Sequence, residues 1–351
     1  MGRAKLLLVA LLVAGCAPPR PGGAPTAPSG DATAPTRQKV VVYSPHGREM
    51  LDPFEQRFEA EHPDIDLETL DMGAQEVLDR LRAEKANPYA DIWWGAPHTM
   101  FIKAARDGLL EAYQPSWSAE IAPARRDANH FWYGQYLTPI VIVFNSEALT
   151  AQTAPQDWDE LLTPEWAQKI LIRNPVESGT MRTFFAAMIL RQADEAAGFA
   201  WLEKLDVNTK DYPANPALLY RQLAKREGLV TVWVLRDAEI QKRVNGYQLG
   251  YVIPRSGCPV IIDGIALVKS GRNHEAAKRF YEYVTARPQL LWAAEQFDTM
   301  PARQDIDRAA LPQRMPQSVP EMKLDWNVVE AKTSGWMDHW TRTVRGDAGG
   351  S

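Results

Sequence analysis

Cysteine is scarce in this sequence, since Cys16 and Cys258 are its two cysteines among 351 residues. If Cys16 carries a modification, Cys258 has no partner and no disulfide can form. The fold must then be held by core packing. A 45% hydrophobic content provides for a large core, and the length predicts two domains.

An excess of positive charge is also missing, because 39 Lys and Arg residues face 44 Asp and Glu residues, a net charge of −5. This balance disfavours a broad surface for nucleic acid or for anionic lipid. Any affinity for an anion must therefore be local. The sequence lacks a Gly-x-Ser-x-Gly elbow, a His-Glu-x-x-His pair and a P-loop, so we expect neither an enzyme nor a bound cofactor.

Long apolar runs are absent as well, apart from a short one near the N-terminus. Arg3 and Lys5 precede an apolar run from Leu6 to Val13, which is followed by Ala14-Gly15-Cys16. The run is too short to span a bilayer, and the charged, apolar and small-residue order is typical of a secretory signal. It resembles the bacterial lipobox. We predict a signal peptide over 1–15 and lipidation of Cys16, the alternative being an ordinary signal with an incidental cysteine.

Residues 16–37 consist mainly of Pro, Gly, Ala, Ser and Thr, a composition that cannot bury enough surface to order itself. We predict a disordered tether. Strand patterns at Val40–Tyr43, Ile65–Thr69 and Asp91–Trp94 then alternate with amphipathic helix patterns. This order predicts a parallel α/β sheet whose ligand contacts gather at the carboxyl ends of the strands.

Two apolar runs, Ile140–Phe144 and Asp263–Val268, are long enough to cross between two parts of the molecule. They predict a discontinuous first lobe, formed by 38–143 together with 265–351. A continuous second lobe, 144–264, would lie between the crossings.

The best candidate for anion binding is Ser178-Gly179-Thr180, which precedes a helix pattern. Hydroxyls, a glycine and a helix N-terminus present several donors to an anion, although Ser and Thr also cap helices without any ligand. Asn215 opens another helix pattern, where it could likewise contact a ligand or only cap the helix. His46, on a turn after the first strand, could bind a ligand oxygen or a metal, or lie in solvent.

Arg236 and Asp237 follow the buried strand pattern Leu229–Leu235. An arginine offers a planar, permanently charged fork for phosphate or carboxylate, and an aspartate can accept from a hydroxyl or an ammonium group. The alternative is an internal salt bridge or a capped helix start.

Several segments together resemble a known family. They are Tyr43-Ser44-Pro45-His46, Ala90-Asp91-Ile92-Trp93-Trp94-Gly95, Gly108-Leu109-Leu110-Glu111-Ala112-Tyr113, Trp158-Asp159-Glu160-Leu161-Leu162-Thr163-Pro164 and Asn174-Pro175 through Thr180. Their order is similar to that of family-1 extracellular solute-binding proteins of ABC importers, in particular the periplasmic ferric-ion, phosphonate and sugar-phosphate binders. The resemblance implies an α/β, type II periplasmic binding protein-like fold with two lobes joined by two hinge crossings, a ligand in the cleft and an ABC permease as partner.

The resemblance also implies roles for single residues. Segments like Ser178-Gly179-Thr180 hold phosphate or a synergistic anion in this group, and a histidine at the place of His46 is an iron ligand in the ferric binders. The adjacent tyrosines of ferric binders are replaced here by Arg236-Asp237, and their carboxylate near the third strand by Gly95-Ala96-Pro97. Arg236-Asp237 looks like the His-Asp pair of the sugar-phosphate and phosphonate binders, with arginine replacing histidine.

We therefore expect a monomeric, lipid-anchored substrate-binding protein that faces the periplasm or the extracellular side and captures a phosphonate, sugar phosphate or carboxylate. The alternatives are a ferric-iron or iron-chelate binding protein of an ABC importer, and a ligand-loaded sensor acting on a membrane histidine kinase. No metal and no nucleic acid is expected. The predicted ligand residues are Ser44, His46, Gly95, Ser178, Gly179, Thr180, Asn215, Arg236 and Asp237.

Overall fold

The computed structural model describes residues 37–316 and 318–346. The predicted signal peptide, the lipidation site Cys16 and all but the last residue of the predicted tether lie outside these residues. Within the described part, none of the helices has the length and apolar character needed to cross a membrane.

The described residues form a mixed α/β structure around one extended sheet. The strands are β1 (Gln38–Ser44), β2 (Ile65–Asp71), β3 (Ile92–Pro97), β4 (Leu110–Glu111), β5 (Tyr133–Asn145), β6 (Ile170–Leu171), β7 (Thr209–Asp211), β8 (Val230–Val234), β9 (Leu249–Val252), β10 (Val260–Val268) and β11 (Met300–Pro301). The α-helices are α1 (Arg48–Glu61), α2 (Ala74–Ala83), α3 (His98–Arg106), α4 (Gly179–Leu190), α5 (Glu195–Asn208), α6 (Pro216–Ala224), α7 (Leu235–Asn245), α8 (His274–Thr285), α9 (Arg287–Phe297) and α10 (Trp326–His339).

The strand order along the sheet is β2-β1-β3-β10-β5-β8-β6-β7, with the short strands β4, β9 and β11 added at its sides. β1 runs parallel to β2 and β3, and β6 runs parallel to β7 and β8. β10 lies antiparallel to β3 and β5 and so links the first parallel group to the rest of the sheet.

β5 connects the two parallel groups. All thirteen of its residues are buried, as expected for a strand covered on both faces. Its first part pairs with β10 as far as Pro139, and its second part, from Ile140, pairs with β8 and β9. The apolar run Ile140–Phe144 therefore does pass from one group of strands to the other. The lobe boundaries remain a prediction.

Several helices begin at side chains that accept a backbone N–H. Ser178 caps α4, Asp194 caps α5, Asn215 caps α6 and Asp325 caps α10. A cap of this kind satisfies one of the N–H groups that the first turn of a helix leaves without an internal partner.

α10 packs against both α3 and α4. Glu330 of α10 accepts two hydrogen bonds from Arg106 of α3, at 3.1 and 2.7 Å, and Lys332 lies 2.5 Å from Glu195 of α5. The helix near the C-terminus therefore contacts elements that belong to both parallel groups.

Candidate ligand-binding site

Three of the predicted site segments follow the carboxyl ends of parallel strands. His46 lies on the turn after β1, Gly95 lies near the end of β3, and Arg236 is the second residue of α7, directly after β8. Carboxyl ends of strands and the loops that follow them are the usual place for ligands in α/β sheets.

His46 is held on a tight turn. Its backbone N–H donates to Ser44 Oγ at 3.2 Å, and Ser44 is fully buried. The imidazole packs edge-on against Trp94, with ring centroids 5.0 Å apart, and against Tyr136, at 6.0 Å. Ser44 thus fixes the turn that places the imidazole.

Gly95 allows the imidazole to approach the backbone. It has a φ of +88°, and a β-carbon at this position would lie 2.6 Å from His46 Nε2. A larger residue would collide with the ring and would also be strained by the positive φ. Gly95 is therefore a requirement of the His46 site.

Arg236 reaches α1, the helix that follows the turn carrying His46. Its side chain is 18% exposed, and its Nη1 lies 3.8 Å from Met50 Sδ of α1. Burial and, secondly, the charge of Arg236 hold the pKa of His46 well below its usual value of 6.5. His46 is therefore neutral and can donate through one ring nitrogen and accept through the other.

Asp237 neighbours Arg236 without neutralising it through a hydrogen bond. Asp237 Oδ1 lies 3.6 Å from Arg236 Nε, whereas Oδ2 accepts from Trp233 Nε1 at 2.9 Å. Within the described residues, no hydrogen-bond acceptor pairs with Arg236 Nε, and none pairs with His46 Nε2.

Four residues that sequence reasoning missed complete this group: Tyr136 and Thr138 on β5, Tyr220 on α6 and Asp263 on β10. The charge of Arg236 acts on the pKa values of Tyr136, Tyr220 and Asp263, and burial raises all three. We call His46, Tyr136, Thr138, Tyr220, Arg236, Asp237 and Asp263 the buried polar cluster; Arg236, Asp237 and Asp263 are its half-buried members. The sequence carries one signal for this group: Asp263 is a charged residue inside an apolar strand pattern. Because a buried charge is costly unless it has a partner, such a residue points to polar neighbours in the fold.

The Ser178–Thr180 segment lies on the other side of the β3 end. Ser178 is buried, and its Oγ accepts from the backbone N–H of Met181 at 3.3 Å, so its hydroxyl serves as a helix cap. Gly179 is exposed and Thr180 half-buried. A β-carbon on Gly179 would lie 3.8 Å from Pro97 Cγ. The segment Gly95–Pro97 therefore touches both the buried polar cluster and the start of α4.

A cavity of about 250 Å³ opens beside Pro97 and Gly179. α2, α3, α4 and α10 contribute to its walls, with Lys103 and Arg182 as cationic side chains and Glu330 as an acidic one. Arg182 donates to the carbonyl oxygens of Pro175 and Val176, which keeps its guanidinium on the loop before α4.

Asn215 lies further out. It is exposed, and its Oδ1 accepts from the backbone N–H of Leu218 at 2.8 Å. Asn215 therefore caps α6. A chain of contacts still links this region to the cluster. Arg173 donates to Ala214 O at 2.5 Å and stacks over Trp233, 5.7 Å from the ring centroid. Trp233 in turn donates to Asp237.

Three further cationic or aromatic side chains have structural surroundings. Arg303 donates to both carboxylate oxygens of Asp305, at 2.9 and 2.7 Å. Trp93 and Trp94 are fully buried core residues. Within the described residues, no group of three or more His, Cys, Asp or Glu side chains could hold a metal ion.

Comparison with known proteins decides the family. Residues 87–332 match the model of a family described as bacterial extracellular solute-binding protein. The chain belongs to this family. A relative in Sinorhizobium fredii, named as a probable ABC transporter periplasmic-binding protein, is 26% identical over 318 residues, which cover 87% of this chain and 86% of the relative.

Solved structures show the fold of this solute-binding protein. The periplasmic binding protein AfuA from Actinobacillus pleuropneumoniae, solved with exogenous fructose 6-phosphate, has a TM-score of 0.75 at 22% identity, covering 88% of this chain and 99% of that one. A ferric binding protein from Campylobacter jejuni has a TM-score of 0.76 at 20% identity, covering 86% and 98%. The predicted family and the predicted periplasmic binding protein fold are confirmed.

Proposed function

We propose that this solute-binding protein captures a small anionic solute, a phosphonate, sugar phosphate or carboxylate, beside Arg236 and delivers it to an ABC importer. The role in transport is supported by the ABC transporter relative from Sinorhizobium fredii. The lipid anchor at Cys16 and a location on the outer side of a membrane belong to the same proposal, and the sequence around Cys16 supports them.

One observation carries the choice of an anion. Arg236 holds a largely buried guanidinium whose Nε has no hydrogen-bond acceptor among the described residues. A buried charge is costly unless it is paired and hydrogen-bonded, and a guanidinium matches phosphate and carboxylate in geometry. A bound anion would supply the acceptor that Asp237, at 3.6 Å, does not.

The neighbouring groups support this assignment. Neutral His46 and the hydroxyls of Tyr136 and Tyr220 add hydrogen-bonding capacity without adding negative charge. The start of α4 lies across Gly95–Pro97, and a helix N-terminus favours an anion. The replacement of the ferric binders' adjacent tyrosines by Arg236-Asp237 counts against Fe(III) as the solute.

Calorimetric titration of the purified protein with fructose 6-phosphate, 2-aminoethylphosphonate and citrate tests the proposal. We expect at least one of these anions to bind, and Arg236→Ala to weaken it by at least roughly tenfold, or about 1.4 kcal/mol. Arg303→Ala is the matched control, because Asp305 already holds that guanidinium; it should bind like the unmodified protein. Unchanged binding in Arg236→Ala, or no binding of any of the three anions, would contradict the proposal.

A further inference from the structure

Asp263 occupies an unusual place in the sheet. It lies on β10 opposite Pro97 of β3 and Tyr136 of β5. The pairing register shifts directly after it on both sides, between Asp263 and Ile265 toward β3 and between Asp263 and Gly264 toward β5. Such bulges re-aim side chains and are common next to functional sites.

The re-aimed carboxylate is only partly satisfied. Thr138 Oγ1 donates to Asp263 Oδ2 at 2.6 Å, and Thr138 is the one hydrogen-bond donor to this carboxylate among the residues that the structure describes. A carboxylate can accept at both oxygens. Burial raises the pKa of Asp263, while the charge of Arg236 opposes that effect. Asp263 also lies opposite Tyr136 in the sheet, and the Tyr136 ring lies 6.0 Å from the His46 imidazole. The carboxylate therefore belongs to the same buried polar cluster as His46 and Tyr136.

The cluster thus combines one guanidinium with two carboxylates, Asp237 and Asp263. The Trp233 indole occupies one oxygen of Asp237, and the Thr138 hydroxyl occupies one oxygen of Asp263. A simple anion would satisfy Arg236 but would bring a like charge close to the other carboxylate oxygens and would offer them no donor. A solute that carries both an acceptor group and a donor group would satisfy both halves of the cluster.

We infer that Asp263 is a specificity-determining residue, which selects anions that also carry a hydroxyl or ammonium donor over anions that carry none. This inference rests on the proposed function, because it assumes that Arg236 holds the anionic group. Hydroxyl and ammonium share the chemistry of donation to a carboxylate, so Asp263 alone does not distinguish them.

Two matched comparisons test the selection. The first sets 2-aminoethylphosphonate against ethylphosphonate, which lacks the ammonium group. The second sets fructose 6-phosphate against inorganic phosphate, which lacks the sugar hydroxyls. Calorimetry should show a preference of at least roughly tenfold for the donor-bearing member of one pair. The pair that shows the preference identifies the donor as ammonium or hydroxyl.

Asp263→Asn keeps the shape of the side chain and removes its charge. We expect it to reduce that preference to about threefold or less, mainly by weakening the donor-bearing ligand. Asp91→Asn is the matched control, because Asp91 is another aspartate of this sheet region, buried and held by the backbone N–H groups of Val41 and Asn273. A folded Asp91→Asn should keep the full preference.

If Asp263→Asn does not fold, Thr138→Val removes the donor that positions the carboxylate and should also lower the preference, by roughly threefold.

The outcomes separate the two proposals. If Arg236→Ala abolishes binding but Asp263→Asn and Thr138→Val keep the full preference, the inference about Asp263 is wrong and the proposed function stands. Equal weakening of all four ligands by Asp263→Asn would assign it a structural role and would overturn the inference. Equal binding of donor-bearing and donor-free anions by the unmodified protein would also overturn it. If neither citrate nor any of these four anions binds, both proposals fall.

Discussion

His98 begins α3, directly after Pro97, and is 2% exposed. Its imidazole packs against Trp132 and Trp326, with ring centroids 5.6 and 4.3 Å away. Burial lowers its pKa from 6.5 to about 3. The folded protein therefore keeps this ring neutral at acidities where the unfolded chain has already protonated it.

This difference makes the stability depend on pH. Because the folded pKa lies below the unfolded one, the unfolded state binds more protons, and the free energy of unfolding falls as the pH falls from about 6.5 toward about 3. We expect His98→Phe to remove up to about 1.4 kcal/mol per pH unit of that slope. Urea unfolding of both proteins at several pH values measures it, and parallel pH profiles would show that His98 does not contribute.

Single residues also show where sequence reasoning succeeds and where it stops. The helix-cap reading of Ser178 and Asn215 follows from local spacing, because a cap bonds to a backbone N–H three residues ahead. Tyr136 and Tyr220 lie inside apolar strand and helix patterns, where a tyrosine looks like an ordinary core residue. Their place near Arg236 depends on packing between distant segments, which one sequence without relatives does not reveal.

At the scale of elements, β5 carries the connection between the two parallel groups of strands. Asn145 ends it and is fully buried. Its Nδ2 donates to the carbonyl oxygens of Leu223 and Ala224 at the end of α6, at 3.1 and 3.3 Å. Its Oδ1 accepts from the backbone N–H groups of Glu147 and Ala148. One side chain thus ties the end of β5 to α6 and to the following turn.

Asn145→Ala should therefore lower the free energy of unfolding by about 3 kcal/mol, since it removes four hydrogen bonds made by a fully buried side chain. Asn245→Ala is the control, because Asn245 is exposed and its side chain bonds to Gln241 on the same helix; we expect a change within about 0.5 kcal/mol. Denaturant unfolding measures both. A loss in Asn145→Ala no larger than that of the control would contradict this account of β5.

The crossing in β5 was predictable because a continuous apolar run records burial on both faces of a strand. The docking of α10 was not. Its amphipathic sequence indicates a helix, but the pairing of Glu330 with Arg106 and of Lys332 with Glu195 joins residues that are far apart in the chain. The assignment of 265–351 to the first lobe remains a prediction. The contacts of α10 bear on it, because α3 lies in the predicted first lobe and α4 in the predicted second lobe.

At the scale of the whole molecule, a net charge of −5 coexists with a local guanidinium, that of Arg236, in a cluster that also holds two carboxylates. The overall charge offers no attraction to an anion, so the affinity has to come from Arg236, the start of α4 and the neutral donors around them. A buried site can do this, because electrostatic interactions strengthen where water is excluded. The family and the fold followed from the order of several short sequence segments, whereas the choice of solute depends on the detailed contents of the buried polar cluster.

Native mass spectrometry under competition tests this central claim most directly. The purified protein would be incubated with equal amounts of fructose 6-phosphate, 2-aminoethylphosphonate, citrate and Fe(III), and the same mixture would be given to Arg236→Ala. We expect the unmodified protein to carry one of the three organic anions and Arg236→Ala to carry none of them at the same concentration. A protein that instead retains Fe(III), or an Arg236→Ala variant that keeps the same anion to the same extent, would contradict the account.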